Sequence, residues 1–168
     1  MYTMTNSGKD IYAGGFSDNY AAYWKNGKLT KLARVPNSES EYVVSMAVSG
    51  NDLHLAVSTT NGMYYWKNGV YTQLCTNCEF AWTGNVIAVS KGDVYISGTR
   101  NDGTSHSGYW KNGVWTAVHE ANVSSLAKGI RVVGSDVYVA GGYYISETGT
   151  WVPCYWKNTT VTAFSDLS

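Results

Sequence analysis

Asp93-Val94-Tyr95-Ile96-Ser97-Gly98, followed by Tyr109-Trp110-Lys111-Asn112-Gly113, is the stretch from which the rest of the chain can be read. Its first half alternates side chains to two sides, as a strand does, and its second half closes on Asn-Gly, the pair best suited to the positive φ of a two-residue hairpin turn. The first half returns as Asp10-Ile11-Tyr12-Ala13-Gly14, Asp52-Leu53-His54-Leu55-Ala56 and Asp136-Val137-Tyr138-Val139-Ala140-Gly141, so that the aspartates stand 42, 41 and 43 residues apart along the chain. The second half returns as Tyr23-Trp24-Lys25-Asn26-Gly27, Tyr65-Trp66-Lys67-Asn68-Gly69 and Tyr155-Trp156-Lys157-Asn158-Thr159. Four units of about 42 residues, approximately 1–40, 41–82, 83–125 and 126–168, account for the chain as a single repeat domain, 1–168.

Each unit reads as four short strands. The first carries Met4, then Met46 and Val48, Ile87 and Val89, or Ile130 and Val132. The aspartate stretch is the second, and the Tyr-Trp-Lys stretch ends the third. Leu29-Thr30-Lys31-Leu32, Tyr71-Thr72-Gln73-Leu74, Trp115-Thr116-Ala117-Val118 and Val161-Thr162-Ala163-Phe164 form the fourth. Nothing has helical period. Four antiparallel strands per repeat predict an all-β fold, a β-propeller or propeller-like array of four four-stranded blades, standing alone or as half of an eight-bladed ring. Large residues on both sides of the second strand, Ile11 and Ala13 against Tyr12 for example, fit a sheet sandwiched between neighbours. A β-branched Thr159 suits φ > 0 poorly, so the last hairpin is expected to be shaped differently from the other three.

Composition narrows the function classes. The 168 residues carry 12 Lys and Arg against 12 Asp and Glu, for a net charge of zero and a pI near 6.8, which disfavours nucleic acid. No apolar run approaches the length of a membrane span, and Met1 to Asp10 lack the pattern of a signal peptide. Three cysteines make no disulfide framework, and Cys75-x-x-Cys78 lacks both a second ligand pair for zinc and the βαβ setting of a redox motif. It is expected to be two thiols or a loop disulfide. No Gly-x-Ser-x-Gly, His-Glu-x-x-His or phosphate loop occurs, so no catalytic residue, metal or cofactor is assigned.

Both end units keep apolar residues, Ile11, Tyr23 and Trp24 in the first and Val137, Val139 and Trp156 in the last, while Thr3, Thr5 and Asn6 supply a partly polar first strand. An open array would therefore expose two sheet faces, and a homodimer or other self-association is expected.

Variation concentrates between the aspartate and the recurring tryptophan, an interval of 14 residues in units one and two, 17 in unit three and 20 in unit four. Together with the blade connections, these loops supply the candidate ligand-binding residues Trp82, Arg100, Asp102, His106, Tyr143, Tyr144, Glu147 and Trp151. Trp82 and Trp151 stand outside the repeated landmark, and aromatic residues on loops suit sugar or peptide contact. The four landmark tryptophans are framework. Asp102, Glu147, Glu79, Glu120 and Glu41 are the acids that a glycoside hydrolase would need to pair at 5 to 9.5 Å. The repeated aspartates, Asp10, Asp52, Asp93 and Asp136, follow tight turns and are expected to bond local backbone N–H groups. The function expected is a non-enzymatic binding or scaffold module engaging a glycan or protein through the variable-loop face. Its alternatives are a self-assembling structural repeat and a glycoside hydrolase.

The Asp-Val-Tyr-Val-Ala-Gly and Tyr-Trp-Lys-Asn-Gly units resemble those of largely uncharacterised bacterial propeller-like repeat proteins. That resemblance implies a secreted or envelope location and brings no activity. A looser likeness to kelch repeats rests on Gly14-Gly15, Gly141-Gly142, Tyr109 and Trp115, with different spacing. The Trp-Asp dipeptide of WD repeats is absent.

Overall fold

A computed structural model describes residues 3–79, 84–119 and 123–164, and within them the chain is all strand and turn. Two compact units divide it, Met1–Thr76 and Asn77–Ser168, each holding two of the four repeats. The first unit contains β1 (Thr3–Ser7), β2 (Asp10–Ser17), β3 (Tyr20–Lys25) and β4 (Lys28–Lys31), then β5 (Glu41–Ser49), β6 (Asp52–Thr59), β7 (Gly62–Lys67) and β8 (Val70–Cys75). In the second, β9 (Cys78–Glu79) precedes β10 (Ile87–Ser90), β11 (Asp93–Asn101), β12 (Ser105–Lys111) and β13 (Val114–Ala117). The last repeat is β14 (Ser125–Val133), β15 (Asp136–Ile145), β16 (Thr150–Lys157) and β17 (Thr160–Ala163). Each repeat forms its own antiparallel sheet in simple up-and-down order, with β9 added beside β11. These are the four blades that the repeat predicts.

One side-chain clip, built four times, explains why the landmark residues recur. In the first repeat Asn26 Nδ2 donates to Asp10 Oδ1 at 2.8 Å, while its Oδ1 accepts from the Ile11 N–H at 2.9 Å. Lys25 Nζ closes on the other Asp10 oxygen at 2.7 Å. The same three contacts join Asn68 and Lys67 to Asp52, Asn112 and Lys111 to Asp93, and Asn158 and Lys157 to Asp136. The aspartates thus reach forward to the next hairpin instead of bonding their own turn. Asn26, Asn68 and Asn112 sit at φ of 50°, 45° and 50°, each followed by a glycine at positive φ. In the fourth repeat Asn158 keeps φ 58° but Thr159 does not follow it, so this hairpin is shaped differently, as the β-branched residue predicts.

Inside each unit the two sheets pack face to face. In the first, Tyr12, Ala21 and Tyr23 lie against Val43, Met46, Leu55, Val57 and Trp66. In the second, Tyr95 and Tyr109 meet Ile130, Val139 and Trp156. Burying each large apolar side chain contributes about 1.5–3 kcal/mol, so these interfaces supply most of the driving force. Gly14 permits the close approach: a Cβ there would lie 2.8 Å from Val43 Cγ1 and 3.0 Å from Met46 Cε. The first strand of the second and fourth repeats shifts register at equivalent places, Val43/Ser45 and Ala127/Gly129, and such bulges bend a strand.

Of the polar residues of β1 only Asn6, paired with Ile11, lies on the outer face. Thr3 and Thr5 pair with Gly14 and Tyr12 on the side packed inward, which leaves Met4 on the outer side, 75% exposed. Cys75 and Cys78 are disulfide-bonded, and Cys154 is a free buried thiol whose pKa burial pushes up to about 11.

Candidate functional site

The lengthened loops are the tips of two hairpins, β11–β12 and β15–β16, both in the second unit. At the first, Arg100 lies opposite His106, and His106 Nε2 stands 2.9 Å from Asp102 Oδ1. His106 Nδ1 is buried and has no partner among the described residues. The Arg100 guanidinium sits 5.6 Å from the ring centre of Trp115, which in turn packs on Trp110 at 4.4 Å. A cation on β11 is thus held over an indole on β13, across the intervening β12.

At the second hairpin, successive residues of β15 point to opposite sides of the sheet, and this separates two neighbouring tyrosines. Tyr143 turns toward the connection before β14, its ring 5.0 Å from His119. His119 is fixed by Trp156, whose Nε1–H donates to Nδ1 at 3.3 Å and whose ring lies 5.5 Å away. That bond makes Nδ1 an acceptor and puts the proton of a neutral ring on Nε2. Around these residues lies a cleft of about 440 Å³, to which Ser124, Ser146 and Glu147 add hydroxyls and a carboxylate. Tyr144 lines its edge and meets Trp151 at a tilt, 5.6 Å between ring centres, on the other side of the sheet. Trp151 is 49% exposed and does not line the cleft.

The eight candidates therefore divide. Tyr143, Tyr144 and Glu147 share the cleft, Arg100, Asp102 and His106 form a separate group at the β11–β12 tip, and Trp151 flanks Tyr144. Trp82 lies outside the described residues, as does Glu120. Three lining residues, His119, Val123 and Ser124, belong to the blade connection, which interval lengths alone did not single out. Glu41 is no solvated loop acid: it is 1% exposed and its Oε1 accepts from the Val35 N–H at 2.6 Å. Glu147 is the single carboxylate among the described lining residues of the cleft. Among the described residues no group of three or more His, Cys, Asp or Glu is placed to hold a metal, and no helix is long and apolar enough to cross a membrane.

No protein-family model matches the sequence, and no curated protein does. Solved structures do match the fold. One is the GH43B protein of a Bacteroides ovatus xyloglucan PUL, a glycoside hydrolase of propeller-type fold, with a TM-score of 0.52 at 9% identity over 99% of this chain. The chain spans 40% of that protein's length. At this identity the likeness shows the fold alone, and it agrees with the four antiparallel sheets: the chain is an all-β, propeller-like repeat protein.

Proposed function

We propose that the chain is a non-enzymatic binding module that holds a glycan, or a segment of another protein, in the cleft beside the β15–β16 hairpin. One observation carries this reading: the longest variable loop and a blade connection converge on an open cleft with aromatic walls and hydrogen-bonding groups at its rim. Sugar rings present apolar faces and hydroxyl edges together, and tyrosine rings beside Ser124, Ser146 and Glu147 match that chemistry. Xyloglucan, the glycan in the structural neighbour's name, serves as the first probe. Hydrolysis is less well served, because an acid and a base or nucleophile are needed and this cleft offers Glu147 alone among its described residues.

The test is electrophoresis of the intact chain through gels containing xyloglucan and, in parallel, other plant and bacterial polysaccharides. The expected result is retardation by at least one polysaccharide, weakened about tenfold or more in Tyr144→Ala, on the scale of an aromatic hot spot. Absence of retardation throughout overturns the glycan reading. Retardation unchanged in Tyr144→Ala and Glu147→Gln removes the site from this cleft, and release of reducing sugar replaces binding with hydrolysis. A second reading, that the chain assembles with itself, is favoured by the exposed apolar side chains of its first and last sheets.

A further inference from the structure

Both units use one packing rule. In the first, the side of the β1–β4 sheet carrying Tyr12, Gly14 and Tyr23 receives Met46, Leu55 and Trp66 of the next sheet, with the Tyr23 and Trp66 rings 6.1 Å apart. In the second, Tyr95 and Tyr109 receive Ile130, Val139 and Trp156 in the same way. The rule has a donor side and a receiving side, and the chain's two terminal sheets each show one of them to solvent.

The outer side of the β1–β4 sheet carries Met4, Ile11, Ala13 and Trp24, which stand in the repeat where Met46, Leu53, Leu55 and Trp66 stand in the next. Met46 and Leu53 are 3% and 8% exposed, whereas Met4 and Ile11 are 75% and 55% exposed. The methionine and the residue after the aspartate are thus buried in the second repeat and exposed in the first. The outer side of the β14–β17 sheet carries Tyr138, Ala140 and Tyr155, in the places of Tyr12, Gly14 and Tyr23. They line an open groove of about 580 Å³.

We propose that the outer side of the β14–β17 sheet of one copy docks on the outer side of the β1–β4 sheet of a second copy, Met4 seating at Ala140 and Trp24 against Tyr155. The occupant is a second copy because each face carries, position for position, one half of the interface already formed inside the chain. Met46 lies at Gly14 in that interface, and the flexible methionine at position 4 accommodates the one extra methyl of Ala140. The contact joins two different surfaces, so it is heterologous, and two copies that satisfy both faces make a closed pair.

This proposal rests on the self-assembly reading, and the experiment separates the two. Sedimentation velocity over a dilution series of the intact chain should give a mass of twice 18.4 kDa, or a higher multiple. Met4→Asp and Ala140→Arg each place an unpaired charge on one face, and each should weaken association on the order of 100-fold, with the far-UV spectrum unchanged because both positions are exposed. An equimolar mixture of the two variants should re-associate. The intact last sheet of one then meets the intact first sheet of the other, and in a closed pair the new Asp meets the new Arg. Association that neither substitution weakens overturns these faces and leaves self-assembly standing. A wild-type chain of 18.4 kDa at every concentration overturns both.

Discussion

The asparagine of each hairpin serves three needs at once, and no other residue supplies all of them. Its backbone adopts positive φ, which Asn tolerates better than most, its Nδ2 donates to the aspartate, and its Oδ1 accepts the N–H that follows the aspartate. Asn112→Ala should therefore lose two hydrogen bonds and incur left-handed strain, lowering stability by about 1–2 kcal/mol. Asn112→Gly removes the same bonds without the strain and should cost less, so denaturant titration of the two variants separates the backbone contribution from the side-chain contribution. Equal losses would show that φ is not the reason for asparagine. The sequence makes the Asn-Gly turn plain, because that preference is local. It points the aspartate at its own turn, because the true partner lies 16 residues further on at Asn26 and comes into reach only when β2 and β3 have paired.

Strand identity was legible because alternation and turn residues are properties of short segments: all sixteen strands read from the repeat form, four to a sheet. What escaped was set by neighbours. β9 is two residues long and exists through its pairing with β11, and the bulges at Val43/Ser45 and Ala127/Gly129 depend on partner strands. Glycine in β15 is a similar case. A Cβ at Gly141 would stand 1.9 Å from the Leu126 carbonyl oxygen and 3.1 Å from the Trp156 ring, so the backbone pairing with β14 must shift and the buried indole must give slightly. Gly141→Ala is expected to destabilise the protein by about 1–3 kcal/mol, the range for overpacking. At Gly129, whose nearest neighbour is the Asn85 oxygen at 3.5 Å, the same substitution should be close to neutral. Thermal melts of the two variants check the contrast, and similar Tm values would contradict the account of close approach under Trp156. The site shows the same division. Interval lengths pointed to the β11–β12 and β15–β16 tips, but alternation along β15 sends Tyr143 and Tyr144 to opposite sides, and fold contacts, not spacing, bring His119 to Tyr143.

At the scale of the whole chain, a balanced charge leaves the pH dependence of stability to a few perturbed groups. Burial holds His54 below its ordinary 6.5, reinforced by Lys67 and opposed by Asp52. Below that pH the unfolded chain binds a proton that the folded chain resists, so stability falls as pH drops through about 6.5 and levels once both states are protonated. The four repeat aspartates are held below their ordinary 3.8, first by hydrogen bonds from their lysines and then by those from their asparagines. Their contribution is present above that pH and is lost as pH falls through the folded values, which gives a second, lower acid step. On the alkaline side, burial pushes the Cys154 thiol from its ordinary 9.0 up to about 11, burial and then the Asp52 charge push Tyr65 up to about 12, and burial and then the Glu41 charge raise Tyr71, so stability declines as pH climbs above about 9. Tm measured against pH should show a plateau between about 6.5 and 9, an acid shoulder at its lower edge, and a separate fall below 4. His54→Tyr restores the residue that the other three repeats carry at Tyr12, Tyr95 and Tyr138, and it should erase the shoulder while leaving the lower fall in place. A shoulder that survives the substitution removes His54 as its source. Loss of both steps together would mean that the aspartate clips do not titrate independently of the buried His54–Tyr65 pair, whose Nδ1 and hydroxyl stand 2.6 Å apart.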